Sequence, residues 1–105
     1  MTLNELQNRS KNHALVIEFS AVWCEPCTWL AAILDELATL NTGKWELIKI
    51  DIDALPELSK NFNIRSVPTT IVFFNENELG RYQGMMWKKQ FNEWINQHLN
   101  GAKLI

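Results

Sequence analysis

The sequence predicts an α/β protein: a mixed central sheet of about four strands, flanked by helices on both faces. Three observations predict it. Apolar residues recur at helical and then strand spacing in the order αβαβαββα along the chain. Helical segments separate the first strands, which makes them a parallel pair, whereas the last two strands lie close enough to form an antiparallel hairpin. The 105 residues are 47% hydrophobic and 21% charged with only 4 Gly and 3 Pro, which suits one globular domain over residues 1–105 with a core of its own. No internal repeat, linker or low-complexity stretch suggests a second domain.

Leu3 and Leu6 among polar neighbours predict a short amphipathic helix that ends before Lys11. Ala14–Phe19 is almost continuously apolar with β-branched residues, as in a strand covered on both faces. Pro26 to about Leu40 places Leu30, Ile33, Leu34, Leu37 and Ala38 at helical spacing, with proline in the first turn and Gly43 past the end. Trp45–Ile52 reads as the second strand, and Pro56–Asn61 as a short helix beside Leu55, Leu58 and Phe62. Thr69–Phe74 and Leu79–Gln83 form the hairpin. Trp87–Leu99 is a final amphipathic helix carrying Phe91, Trp94, Ile95 and Leu99 inward.

Composition narrows the function. Ten basic against twelve acidic residues give a net charge of −2 with no basic block, so nucleic acid is not an expected partner. The longest apolar run, Trp29–Leu34, is far short of the roughly 20 residues that span a bilayer, so no membrane partner is expected either. Asn4, Glu5, Gln7, Asn8, Arg9 and Lys11 are incompatible with the apolar middle of a secretory signal, and the expected location is cytoplasmic.

Two cysteines are too few for a disulfide framework or, alone, for a four-ligand metal site, so Cys24 and Cys27 act together. Cys24-Glu25-Pro26-Cys27 sits where a strand ends and a helix begins, the setting of a redox C-x-x-C pair. Unpaired N–H groups and the positive end of the helix dipole favour a thiolate on Cys24, which makes it the nucleophile. Cys27, one turn on, can attack a mixed disulfide at Cys24 and is the resolving thiol. The plainer alternatives are a structural disulfide or half of a metal site shared between chains.

With those residues in view, the chain resembles the thioredoxin family. Trp23-Cys24-x-Pro26-Cys27, the Ser66-Val67-Pro68-Thr69 segment, Lys49 and Gly84 after the hairpin match the family in order and spacing, and the likeness covers nearly the whole chain. The resemblance implies the thioredoxin fold. It further implies that Val67-Pro68 is a cis peptide facing the cysteines and that Trp23, Val67, Pro68 and Gly84 meet the substrate. Glu18, six residues before Cys24, occupies the position of a buried family aspartate that exchanges protons with the second cysteine, with Lys49 moderating its charge. A carboxyl in a doubly covered strand must lose hydration or stay protonated, which suits that role; the alternative is a wetter strand face and a solvated Glu18.

The chain also departs from the family. Glu25 replaces the usual glycine between the cysteines, Ser20 a common tryptophan, Thr28 a common lysine and Ala32 a proline. Glu25, and Pro26 beside it, are tuning positions, with the Glu25 charge set against the Cys24 thiolate and expected to leave the couple reducing. Met85, Met86 and Trp87 either form an adaptable docking rim or begin the last helix and pack inward. His13 and His98 read as polar surface residues, Asp51 and Asp53 as a strand end and a helix N-cap, and Trp29, Trp45 and Trp94 as core or rim packing. Thioredoxins commonly begin with an edge strand, whereas this chain starts on a helix, so Trp45–Ile52 is expected at the sheet edge. That edge would pair in a dimer or be screened by the first helix and the tail 101–105.

The function expected is a thiol–disulfide oxidoreductase that reduces disulfide-containing proteins and is recycled by a thioredoxin-reductase-like electron donor. The chain is expected to be a monomer or weak dimer and to need no bound cofactor or metal. The competing expectations are a disulfide oxidase or isomerase in an oxidising compartment, and a binding module without turnover.

Overall fold

The computed structural model describes residues 1–101. Thr2 starts the first helix, α1 (Leu3–Ser10), by accepting from the Glu5 amide at 3.2 Å through its hydroxyl. Next come β1 (Leu15–Ser20), α2 (Glu25–Leu40) and β2 (Glu46–Asp51), then α3 (Pro56–Asn61), β3 (Thr69–Phe74), β4 (Asn77–Gln83) and α4 (Lys88–Gly101). The four strands form one sheet in the order β2-β1-β3-β4, with β1 and β2 parallel and the other neighbours antiparallel.

Alternation along the strands assigns the two cores. Leu15, Ile17 and Phe19 of β1 face α1 and α3, where Leu6, Leu58 and Phe62 cover them. Val16 and Val72 face the other way, under Leu30, Leu34 and Leu37 of α2 and Phe91, Ile95 and Leu99 of α4. This double cover explains why β1 reads as a near-continuous apolar run. Each fully buried Leu, Ile or Phe contributes roughly 1.5–3 kcal/mol of transfer free energy, so the strand under the functional loop is held from both sides.

Among the described residues β2 is an edge strand, as expected, because it pairs there with β1 alone. Thr2 caps α1, and Arg9 of that helix reaches Glu46 at 3.8 Å. Of the tail invoked as a screen, residues 102–105 lie outside the described residues.

Some boundaries move. β4 starts at Asn77, two residues earlier than the pattern suggests, because Asn75 and Glu76 adopt left-handed φ values of 51° and 67° and close a tight hairpin without glycine. Ser10 supports that turn: its carbonyl accepts from Asn75 N at 2.8 Å and its hydroxyl from Glu76 N at 3.0 Å. His98 is half-buried rather than a plain surface residue, its ring 4.7 Å from Trp94 and pressed over Gly80. Trp45 is 6% exposed and belongs to the core under α2 and α4.

Candidate active site

The site lies where β1 hands over to α2. The chain turns after Ser20, with Cys24 N donating to Ala21 O at 3.1 Å, and Cys24 becomes the N-cap of α2. Its sulfur accepts from the Cys27 amide at 3.3 Å, so the first turn of the helix directs an N–H at Cys24 Sγ. Cys24 and Cys27 are joined as a disulfide with their Cα atoms 5.3 Å apart. Such an arrangement favours negative charge on Cys24 sulfur once the bond is reduced. Glu25 and Pro26 sit exposed on the outer side of the same turn, while both cysteines are buried.

Three further segments converge on the pair. Ala21, Ile52 and Val67 pack around Cys24 and Cys27 in one small apolar cluster. Val67-Pro68 is a cis peptide, as the family resemblance implied. Gly84 N donates to Pro68 O at 2.8 Å, which ties the loop after β4 to the proline, and Gly84 has a φ of +108° that a side chain would strain. Val67 is thereby packed on the disulfide, with Pro68 joined to it by the cis peptide and Gly84 joined to Pro68 by a backbone hydrogen bond.

Trp23 is 67% exposed, and its indole Nε1 donates to Asp53 Oδ2 at 2.9 Å. Asp53 is held in turn by Asp51, whose Oδ1 accepts from the Asp53 and Ala54 amides at 2.9 and 3.4 Å. This corrects the expectation that Asp53 caps a helix. α3 starts after Leu55, without a side-chain cap, and Asp53 orients the tryptophan instead. Trp87 is 71% exposed, which excludes the reading in which it packs inward, while Met85 and Met86 are half-buried against the core. Trp29 is also outward. Beside Cys27 lies a shallow groove of about 270 Å³, bordered by Ser20, Ala21, Val22, Thr28 and Asp51. Two of the family departures, Ser20 and Thr28, thus put small hydroxyl side chains along the groove that Cys27 also lines.

Glu18 is 1% exposed, which excludes the solvated alternative. In register it lies between Lys49 on β2 and Thr70 on β3. Neither carboxyl oxygen has a hydrogen-bond partner, because Lys49 Nζ turns to Asp35, 2.8 Å from Oδ1 and 2.9 Å from Oδ2. Burial pushes the Glu18 carboxyl up from 4.5 to about 7; the Lys49 charge offsets part of this rise and the Asp35 charge adds to it. Lys49 therefore moderates Glu18 through space, without a direct bond.

Two residues of this region escape a reading of the sequence. Asp53 stands thirty positions from Trp23, and only the turn after β2 joins them. Thr70 is the cross-strand neighbour of Glu18, a relation set by strand register.

The thioredoxin family model matches residues 3–97. The thioredoxin of Staphylococcus epidermidis is 29% identical over 99 residues, covering 94% of this chain and 95% of that protein. The thioredoxin of Staphylococcus aureus is 30% identical over 95 residues, covering 90% and 91%.

Proposed function

This chain belongs to the thioredoxin family and is a thiol–disulfide oxidoreductase that reduces protein disulfides, and we propose how its residues divide that work. The carrying observation is Cys24 at the N-cap of α2, bonded to Cys27 one turn later. In the reduced protein the Cys24 thiolate attacks one sulfur of a substrate disulfide. The other substrate sulfur leaves as a thiolate and takes a proton. Cys27 then gives its proton to the Glu18 carboxylate and attacks Cys24 sulfur, so that the second substrate sulfur leaves as a thiolate that takes a proton from water, and the Cys24–Cys27 bond remains.

A carboxyl titrating at about 7 holds its two protonation states in comparable amount near neutrality, which suits a group that must accept and return a proton. Trp23, Val67, Pro68 and Gly84 form the surface that receives the substrate strand, with Trp87 at its border. Glu25 and Pro26 tune the first thiol, and Lys49 tunes Glu18. Substrates are disulfide-containing proteins, and a thioredoxin-reductase-like donor returns two electrons. The chain works as a single domain in the cytoplasm, as a monomer or weak dimer through β2; light scattering tests the last point. No helix among the described residues is long and apolar enough to cross a membrane.

The test is reduction of insulin disulfides with a dithiol donor. Cys24→Ser abolishes turnover, and Cys27→Ser accumulates mixed disulfides with substrate. Equal trapping by both variants would reverse or remove the assignment.

A further inference from the structure

Three polar atoms on neighbouring strands are buried without a hydrogen-bond partner: Oε1 and Oε2 of Glu18 and the Thr70 hydroxyl. Glu18 is 1% exposed and Thr70 0%. They are directly opposed across the antiparallel β1–β3 pair, so both side chains leave the same face, toward α2 and α4. Cβ atoms so placed are about 4.5–5.5 Å apart. The Thr70 oxygen is one bond beyond its Cβ, and the Glu18 carboxyl two carbons beyond its own, so rotation about side-chain bonds alone brings them into hydrogen-bond contact.

We propose that Thr70 is a positioning residue for Glu18, its hydroxyl forming the hydrogen bond that holds the carboxyl in place within the sheet. This rests on the reading of Glu18 as the proton partner of Cys27. A hydroxyl suits such a partner because it donates to the carboxylate and accepts from the carboxylic acid. It remains satisfied through both halves of a proton exchange. An apolar side chain there leaves the ionised form with no donor in the strand pair.

The other groups around Glu18 do not fill that place. From β2, the Lys49 amine is held by Asp35 of α2. Cys27, in the first turn of α2, is bonded to Cys24. Beyond Thr70 on β4 the next residue in register is Tyr82, whose ring packs on Phe91 and Trp94 of α4. Lys88, Lys89 and Glu93 of α4 are exposed, and His98 lies against Trp94.

The test follows the Glu18 carboxyl carbon by NMR through a pH titration of the oxidised protein, in which neither cysteine ionises. Thr70→Val keeps the shape and removes the hydroxyl, whereas Thr70→Ser keeps the hydroxyl. The hydrogen bond to the ionised carboxylate is about twice as strong as the one to the neutral acid, and the loss of that difference corresponds to about one pH unit. The expected result is a Glu18 midpoint raised about tenfold in proton affinity by Thr70→Val and left close to the parent by Thr70→Ser. An unchanged or lowered midpoint in Thr70→Val, or a serine variant that behaves like valine, overturns the proposal. The pH profile of mixed-disulfide resolution is measured on the same variants. A raised midpoint with an unmoved resolution profile keeps the Thr70–Glu18 bond and removes the proton-exchange role of Glu18.

Discussion

Replacing Glu18 by glutamine removes a buried titration and keeps the shape of the protonated carboxyl. In the folded chain Glu18 holds its proton to about pH 7, against 4.5 for an ordinary glutamate carboxyl. Between these values the unfolded chain releases a proton that the folded chain retains, so the Glu18 contribution to stability falls as pH rises. It is fully present below about 4.5 and lost as pH passes through 7. At about 1.4 kcal/mol per pH unit, the rise amounts to roughly 3 kcal/mol. Glu18→Gln should therefore gain roughly 3 kcal/mol on the parent between pH 4.5 and 8, and the two curves should run parallel outside that window. Urea unfolding of both oxidised proteins, at half-unit pH steps, measures this. The oxidised state is chosen because its cysteines do not titrate. A constant difference across the whole range would refute the assignment of a buried, proton-retaining Glu18. A difference that shrank with rising pH would refute its sign.

Two more outcomes follow from the structure. Glu25, exposed on the first turn of α2, opposes the reduced Cys24 thiolate, so Glu25→Gln should make the couple more oxidising by about 10–20 mV in equilibrium with glutathione. The parent should lie nearer about −270 mV than about −120 mV, and a variant shifted the other way would contradict the charge argument. At Gly80, an added Cβ would come within 2.7 Å of the His98 ring, which is itself packed against Trp94. Gly80→Ala should cost about 1–3 kcal/mol in thermal or denaturant unfolding, and most of that loss should vanish in a His98→Ala background. Additive effects of the two substitutions would show that the contact is not the cause.

What the sequence by itself determined is local. The order of elements follows from apolar spacing, and the position of Cys24 at a helix start follows from a strand, a turn and Pro26 read in succession. Glu18 stood out because a carboxyl interrupts an apolar run, a contrast visible in six adjacent residues. The cis peptide at Val67-Pro68 came from family resemblance, since proline alone leaves the trans form favoured.

The tertiary structure decided whatever depends on which strands lie side by side and which loops meet. Trp87 could have packed inward or outward by its spacing, and the packing of α4 left it out. Asp53 had the sequence context of a cap, yet the turn after β2 carries it to Trp23. Lys49 faces Glu18 in register but bonds Asp35 of α2, a helix fourteen positions away in sequence. Thr70 had no visible connection to Glu18 until the antiparallel pairing of β1 and β3 placed them opposite each other. The reason is common to all four. Periodicity reports which face of its own element a residue occupies, whereas its partner across the gap is set by register and docking, which long-range packing determines.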